Sequence, residues 1–137
     1  MKIVIDTNVV ISGIFFGGYP GKVIEAVAGR HIEAFATPEI VKEYEAVIDE
    51  MILRKQGKFG RNVLTTLLSC ITIIPPESDV HVCRDPDDDK FIACAQDAKA
   101  AYIVSGDKDL LDIKGYKEIR MITARDFCDV FLNKKES

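Results

Sequence analysis

The sequence predicts an α/β fold with three layers, in which a central, mainly parallel β-sheet is flanked by helices. The 137 residues suit a single domain, residues 1–137, whose core is large enough to be stable without disulfides. Short apolar runs rich in β-branched residues alternate along the chain with helix-like segments. Such alternation is typical of strand–helix–strand crossovers, which place neighbouring strands parallel to one another.

The predicted strands are short and apolar, which is the pattern of strands that are covered on both faces. They are Lys2–Asp6, Ile32–Ala36, Ile71–Ile74, Tyr102–Ser105 and Ile119–Thr123. In folds of this class the functional side chains lie beyond the carboxyl ends of the strands. Those ends are therefore the first place to look for an active site.

The predicted helices fill the segments between the strands. Thr37 and Pro38 supply an N-cap and a proline at the first helical position, so a long helix begins there and extends to about Lys55. The other helices are Gly21–Arg30, Arg61–Cys70, Asp88–Lys99 and Ala124–Leu132, with a short one at Lys108–Leu111. The turn at Pro75-Pro76 is too short to separate two domains.

The composition excludes several classes of protein. Hydrophobic residues make up 47% and charged residues 29%, which is usual for globular domains and unlike disordered chains. The charge of Asp6 falls where a signal peptide needs its apolar core, so we expect a cytoplasmic protein. A net charge of −4 argues against a nonspecific nucleic-acid coat protein. The cysteines have no CxxC spacing and are expected to be reduced; they are Cys70, Cys83, Cys94 and Cys128.

Four carboxylates are predicted to meet at the carboxyl edge of the sheet. Asp6 ends the first strand, and Asp107 comes shortly after the fourth. Glu43 lies at the rim of the apolar face of the long helix. Asp89 is expected to face inward, because the helix that it begins is apolar nearly all round.

Local roles for these acids stay open. Asp6 and Asp107 are each suited to cap a following helix. Glu43 is suited to the edge of the core, where its stem packs while its carboxylate stays in solvent. The neighbouring acids are assigned to simpler roles: Asp88 to the helix N-terminus, which favours negative charge, and Glu45 to solvent.

Inward-facing carboxylates repel one another and lose their charge unless a cation is present. Oxygen donors suit Mg²⁺ or Mn²⁺ better than zinc, since the chain has only His31 and His81 and no thiolate cluster. The chemistry that this implies is metal-assisted attack of water on a phosphodiester.

Four segments of the chain, in this order, resemble the PIN-domain nucleases. The narrower resemblance is to the prokaryotic branch of toxins of type II toxin–antitoxin systems that are related to VapC. The segments are Ile3–Asn8, Thr37–Glu43, Asp87–Ala93 and Ile103–Leu110. The resemblance covers essentially the whole chain and implies a PIN-like fold and a metal-dependent endoribonuclease.

Carried over by position, the resemblance assigns roles to individual residues. It implies that Mg²⁺ or Mn²⁺ is bound by Asp6, Glu43, Asp89 and Asp107, with Asp109 as a further acidic position. The spacing of Asp107 and Asp109 is more compact than in the best-known toxins, so which of the two contacts metal stays open. The small polar residues implied to support these acids are Thr7, Asn8 and Ser105.

The resemblance also implies partners. They are an RNA substrate, a cognate antitoxin protein and a second copy of the chain. Gly13–Phe16 and the apolar face of Arg61–Cys70 are the surfaces expected to pair two copies. A local basic run is a candidate RNA contact, with a solvated turn as the alternative; its members are Arg54, Lys55, Lys58 and Arg61.

Three other functions stay open at this stage. A phosphotransfer or phosphatase domain would use Asp6 as a nucleophile, although Asn8 stands where the haloacid-dehalogenase type has a second aspartate. A metal-independent ribonuclease would need an acid–base pair, commonly histidines, and neither His31 nor His81 lies in a supporting pattern. A non-catalytic RNA-binding PIN module is disfavoured by the intact acids.

Overall fold

A computed structural model describes residues 1–55 and 59–132, with only the backbone of residues 55, 59 and 60. The strands are β1 Lys2–Ile5, β2 Glu33–Ala36, β3 Ile71–Ile73, β4 Tyr102–Val104, β5 Gly115–Tyr116 and β6 Ile119–Ile122. The helices are α1 Thr7–Phe15, α2 Gly18–Ala28, α3 Pro38–Lys55, α4 Phe59–Leu68, α5 Asp89–Ala98, α6 Lys108–Ile113 and α7 Ala124–Phe127. A 3₁₀ turn, Pro86–Asp88, precedes α5, and a π turn, Cys128–Leu132, follows α7.

The described strands form one sheet in the order β3-β2-β1-β4-β6-β5, in which β5 alone is antiparallel to its neighbour. This confirms the predicted α/β fold with a mainly parallel sheet flanked by helices. The chain adds β2 and β3 on one side of β1 and then places β4 on the other side. Such a reversal of strand order opens a crevice between the carboxyl ends of β1 and β4.

The two central strands are buried on both faces, as their apolar sequences predict. Every residue of Ile3–Ile5 and of Ile103–Val104 is at most 1% exposed. Helix α3 is anchored to this core by Tyr44, whose hydroxyl donates a hydrogen bond to the carbonyl of Ile5. Burial raises the pKa of Tyr44 well above its ordinary value, so the hydroxyl keeps the proton that it donates. The bond fixes α3 against the end of β1.

Three elements differ from the sequence predictions. The apolar run after Asp6 forms the helix α1, and β5 is a two-residue strand that is too short to leave a pattern. The last helix ends at Phe127 and widens into the π turn, in which Phe131 packs 5.2 Å from the ring of Tyr102. All four cysteines are free. Within the described residues, none of the helices has the length and apolarity needed to cross a membrane.

The surface expected to pair two copies is smaller than the sequence suggests. Leu64 and Leu67 of α4 are 1% exposed, because the apolar face of this helix packs into the core of its own chain. Ile14 of α1 is also buried, whereas Phe16 is 64% exposed and Val63 is 37% exposed. Phe16, directly after α1, and Val63 of α4 therefore remain as exposed apolar residues.

Two helical glycines provide a matched test of how closely α1 and α2 pack. A Cβ atom on Gly13 would lie 2.7 Å from Ile24 Cγ1 and 2.9 Å from the backbone oxygen of Pro20, whereas a Cβ on Gly21 would lie 3.6 Å from its nearest neighbour. Gly13→Ala should therefore lower the free energy of unfolding by about 1–3 kcal/mol. Gly21→Ala should raise it by about 0.5–1 kcal/mol, because alanine favours the helix. Urea unfolding measures both, and equal stabilisation by the two alanines would contradict the close approach.

Candidate active site

Asp6 lies in the crevice between the ends of β1 and β4 and is 5% exposed. Its Oδ2 accepts a hydrogen bond of 2.7 Å from the hydroxyl of Ser105, the residue that follows β4. Burial raises the pKa of Asp6, and the charges of Asp107 and Glu43 raise it further, against the lowering effect of the Ser105 bond. Asp6 stands at the N-cap position of α1 but makes no capping bond with its side chain. Its carboxylate therefore faces the crevice and does not cap the helix.

Asp107 is positioned by the same serine. The Oγ atom of Ser105 accepts a bond of 2.9 Å from the backbone N–H of Asp107. One carboxylate oxygen of Asp107 also caps α6, where it accepts a bond of 3.0 Å from the N–H of Asp109. The capping role that the sequence allowed for Asp107 is therefore present together with its place beside Asp6.

Asp88 is the third carboxylate beside Asp6 and Asp107. Partial burial, the charge of Asp107 and a side-chain hydrogen bond with Asp107 raise the pKa of Asp88 to about 7, and Asp6 adds to the effect. Its side chain makes no capping bond at the start of α5. Asp88 therefore occupies the predicted place at the helix N-terminus, as the N-cap residue of α5, while its side chain lies beside Asp107. The 3₁₀ turn Pro86–Asp88, which winds more tightly than an α-helix, leads directly into α5 at this point.

Asp89 is buried, but its carboxylate points to a loop. Its Oδ1 accepts hydrogen bonds of 3.1 Å from the N–H of Val82 and 2.8 Å from the N–H of Cys83. Burial alone would raise the pKa of Asp89, yet these bonds outweigh it and lower the pKa. Asp97 holds the same loop from the other end of α5, through the N–H groups of Glu77 and Ser78. The arrangement of Asp89 is thus that of a carboxylate fixing a loop.

Glu43 is held by two partners from different helices. Its Oε2 accepts a hydrogen bond from the hydroxyl of Thr7, and its Oε1 lies 2.8 Å from Nζ of Lys90. The Lys90 side chain is 9% exposed, whereas that of Glu43 is 27% exposed. Sequence reasoning missed Lys90, although a lysine directly after an acidic run on a buried helix is a usable signal.

The supporting residues fall into two groups. Thr7 and Ser105 are buried and donate hydrogen bonds to Glu43 and Asp6, in agreement with their predicted positions beside the acids. Asn8 is exposed and lines a neighbouring cleft of about 270 Å³ together with Ser105. Asp109 lies at the outer edge, with its Oδ1 4.0 Å from the guanidinium of Arg84.

The two arginines of the predicted basic run whose side chains the structure describes both form ion pairs with acids. Arg54 pairs with Glu50 at 2.7 Å. Arg61 lies 3.4 Å from Asp49 and 3.8 Å from Glu45. Lys58 and the side chain of Lys55 lie outside the described residues. Arg84, which sequence reasoning did not single out, has a side chain that is 86% exposed and lies next to the acids.

The donor atoms of the crevice suit a hard divalent cation. Among the described residues, no group of three or more histidine, cysteine, aspartate or glutamate side chains is already arranged as metal ligands. Asp6, Asp88 and Asp107 nevertheless offer only carboxylate oxygens, which Mg²⁺ and Mn²⁺ prefer, and their mutual repulsion would be relieved by a cation. Burial and the neighbouring acids raise the pKa of Cys83 to about 12, so that thiol offers no thiolate to a softer metal.

Comparisons with known proteins agree with this geometry. A family model of the PIN domain matches residues 2–109, a range that contains all the acids of the site. The chain is 40% identical over 118 residues to the uncharacterized protein MJ1680 of Methanocaldococcus jannaschii, an alignment that covers 83% of this chain and 76% of that protein. No solved structure matches the chain.

The raised pKa of Asp88 predicts how stability depends on pH in the absence of metal. The folded protein holds this proton more tightly than the unfolded chain, so the stabilisation is complete below the ordinary pKa of 3.8 and is lost as the pH rises through about 7. In EDTA, the free energy of unfolding should therefore fall less between about pH 4.5 and pH 7.5 in Asp88→Asn than in the wild type. Urea unfolding at several pH values measures the slope. Asp112→Asn, at an exposed position of α6, is the matched control, and equal slopes in all three proteins would contradict the assignment.

Proposed function

The chain belongs to the PIN-domain family, and from this premise we propose that it is an endoribonuclease that depends on Mg²⁺ or Mn²⁺. The observation that carries the proposal is the positioning of Asp6 and Asp107 by one serine, Ser105, in the crevice between β1 and β4. Asp88 lies beside Asp107, and Glu43 is bonded to Thr7, the residue after Asp6. The pKa values of Asp6 and Asp88 are raised, and partly buried carboxylates of this kind are typical of functional sites, because such an arrangement does not stabilise a fold.

The residues of the site have separate tasks in this proposal. Asp6, Asp88 and Asp107 would hold the metal, and Ser105 orients two of them through its hydroxyl. When bound, the metal would supply Lewis acidity that activates a water and stabilises charge on the phosphate. Arg84, exposed at the rim, is placed to attract the RNA backbone. Asp89 is proposed to fix the loop at Val82–Cys83, in place of the metal-binding role that the sequence resemblance gives it.

A phosphotransfer role for Asp6 has less support. It would require Asp6 as a free nucleophile, whereas one of its oxygens is held by Ser105 and the side chain is 5% exposed. A role as a toxin with a cognate antitoxin rests on the sequence resemblance to VapC-related proteins.

Cleavage of RNA by the purified chain tests the proposal. Activity should require Mg²⁺ or Mn²⁺, disappear in EDTA and return when metal is added. Asp6→Asn, Asp88→Asn and Asp107→Asn should each lower the rate by about 100-fold or more, because each removes a carboxylate that would hold the metal. Gel assays of a labelled RNA measure the rates, and the products should carry 5′-phosphate and 3′-hydroxyl ends.

Two further variants complete the cleavage test. Glu45→Gln changes an exposed α3 acid two positions after Glu43 and should keep the wild-type rate. Asp89→Asn should lower the melting temperature, because it weakens the bonds to Val82 and Cys83, and should keep measurable activity. Undiminished cleavage in EDTA would refute the metal-dependent mechanism. An inactive but stable Asp89→Asn protein beside an active Asp88→Asn protein would refute the exchange of roles.

We also propose that two copies of the chain pair through the surface beside α2 and α4. This surface contains the exposed Val63 and a groove of about 250 Å³ lined also by Ile24 and Leu67. Light scattering at micromolar concentration should give the mass of a dimer, and Val63→Glu should give a monomer because it buries a charge in the interface. Thr65→Glu, at an exposed position of the same helix, is the control. A monomeric wild-type protein would contradict the pairing.

A further inference from the structure

The ammonium of Lys90 is surrounded by oxygen atoms of the protein. Its Nζ lies 2.8 Å from Oε1 of Glu43 and 3.0 Å from Oδ2 of Asp87, and it donates a bond of 2.7 Å to the carbonyl oxygen of Asp87. These three oxygens equal in number the three N–H donors of an ammonium group. The side chain is 9% exposed. Lys90 is therefore poorly placed to bind an RNA phosphate, and its charge acts within the site.

Glu43 differs from Asp6, Asp88 and Asp107 because it has a cationic partner. One of its oxygens accepts the hydrogen bond of Thr7, and the other faces the ammonium of Lys90. In the described part of the chain, no lysine, arginine or histidine forms an ion pair with Asp6, Asp88 or Asp107. The site is thus divided into one carboxylate with its own cation and three carboxylates without one.

We propose that Lys90 is a built-in cation that stands in place of a second metal ion at Glu43, so that the site binds one divalent ion per chain. This inference rests on the proposed function and names the residues that would hold that ion, which are Asp6, Asp88 and Asp107. Two-metal nucleases use a pair of cations to stabilise charge on both sides of the reacting phosphate. A buried ammonium supplies one of these charges permanently. Lys90 is then a positioning residue, which acts through Glu43.

The contacts of Lys90 are compatible with two roles, that of a cation in the site and that of a structural ion pair that only joins α3 to α5. The two roles predict different numbers of bound ions, so the ion count separates them.

Titration with Mn²⁺ alone, followed by calorimetry and by the EPR signal of free Mn²⁺, counts the ions. Wild type should bind one ion per chain. Lys90→Met frees Glu43 and removes a repelling charge, so this variant should bind a second ion. Its affinity for that ion should be about tenfold or more above any affinity of the wild type for a second ion. Lys90→Arg should restore a single ion. Lys22→Met removes an exposed lysine of α2 and should also bind one.

Glu43→Gln gives a second, independent measurement that does not depend on the folding of the lysine variant. It should still bind one ion, whereas Asp107→Asn should lose it. The double variant Lys90→Met with Glu43→Gln should return from two ions to one. A merely structural ion pair predicts instead that Lys90→Met loses stability and keeps the ion count of wild type.

The possible failures are distinguishable. If wild type binds no Mn²⁺ at millimolar concentration, the proposed metal-dependent function is refuted and this inference with it. If wild type binds two ions, or if folded Lys90→Met still binds one, the metal site survives and the role of Lys90 is refuted. If Lys90→Met does not fold, Lys90→Gln replaces it, and loss of the single ion in Glu43→Gln overturns the inference.

Discussion

The hydrogen bond from Ser105 to Asp6 joins the two strand ends on which the site depends. The two residues are 99 positions apart in sequence, and parallel pairing of Ile5 with Val104 brings them together. A buried carboxylate without a hydrogen-bond donor is destabilised in its charged form, and the Ser105 hydroxyl reduces this destabilisation of Asp6. Because Ser105 also accepts the N–H of Asp107, one side chain sets the relative positions of two acids.

The sequence was sufficient to predict the features that depend on the spacing of apolar residues and on the order of strands and helices along the chain. Alternating apolar runs predicted the parallel sheet, and strand ends predicted Asp6 and Asp107, because both signals are local and the crossover rules are general. The different surroundings of Asp88 and Asp89 could not be predicted in the same way. Asp89 bonds to a loop six and seven residues earlier in the chain and Asp88 lies beside Asp107, and both contacts depend on tertiary packing. The pairing of Lys90 with Glu43 depends on how α3 and α5 pack, which no single segment encodes.

The acids of the site differ in how the protein stabilises them. Asp89 and Asp97 have lowered pKa values because backbone N–H groups surround them, and both hold a loop. The pKa of Asp6 is raised because burial and neighbouring charges outweigh its hydrogen bonds. The pKa of Asp88 is raised by burial, by the charge of Asp107 and by the hydrogen bond with Asp107. The first pair stabilises the fold, and the second pair opposes it. A protein keeps such an unfavourable cluster where function requires it, and stability is supplied by the core around it.

In the proposed function, an acidic chain must attract a polyanion toward its own carboxylates. The described arginines of the α3–α4 basic run are paired with acids of α3, and Lys90 is used by Glu43 and Asp87. Among the described residues beside the acids, Arg84 presents its charge to solvent. In the proposed function the bound ion offsets most of the negative charge of the three unpaired carboxylates and offers a coordination position to a phosphate oxygen. RNA affinity and metal affinity thus become linked quantities, so that each ligand strengthens the binding of the other.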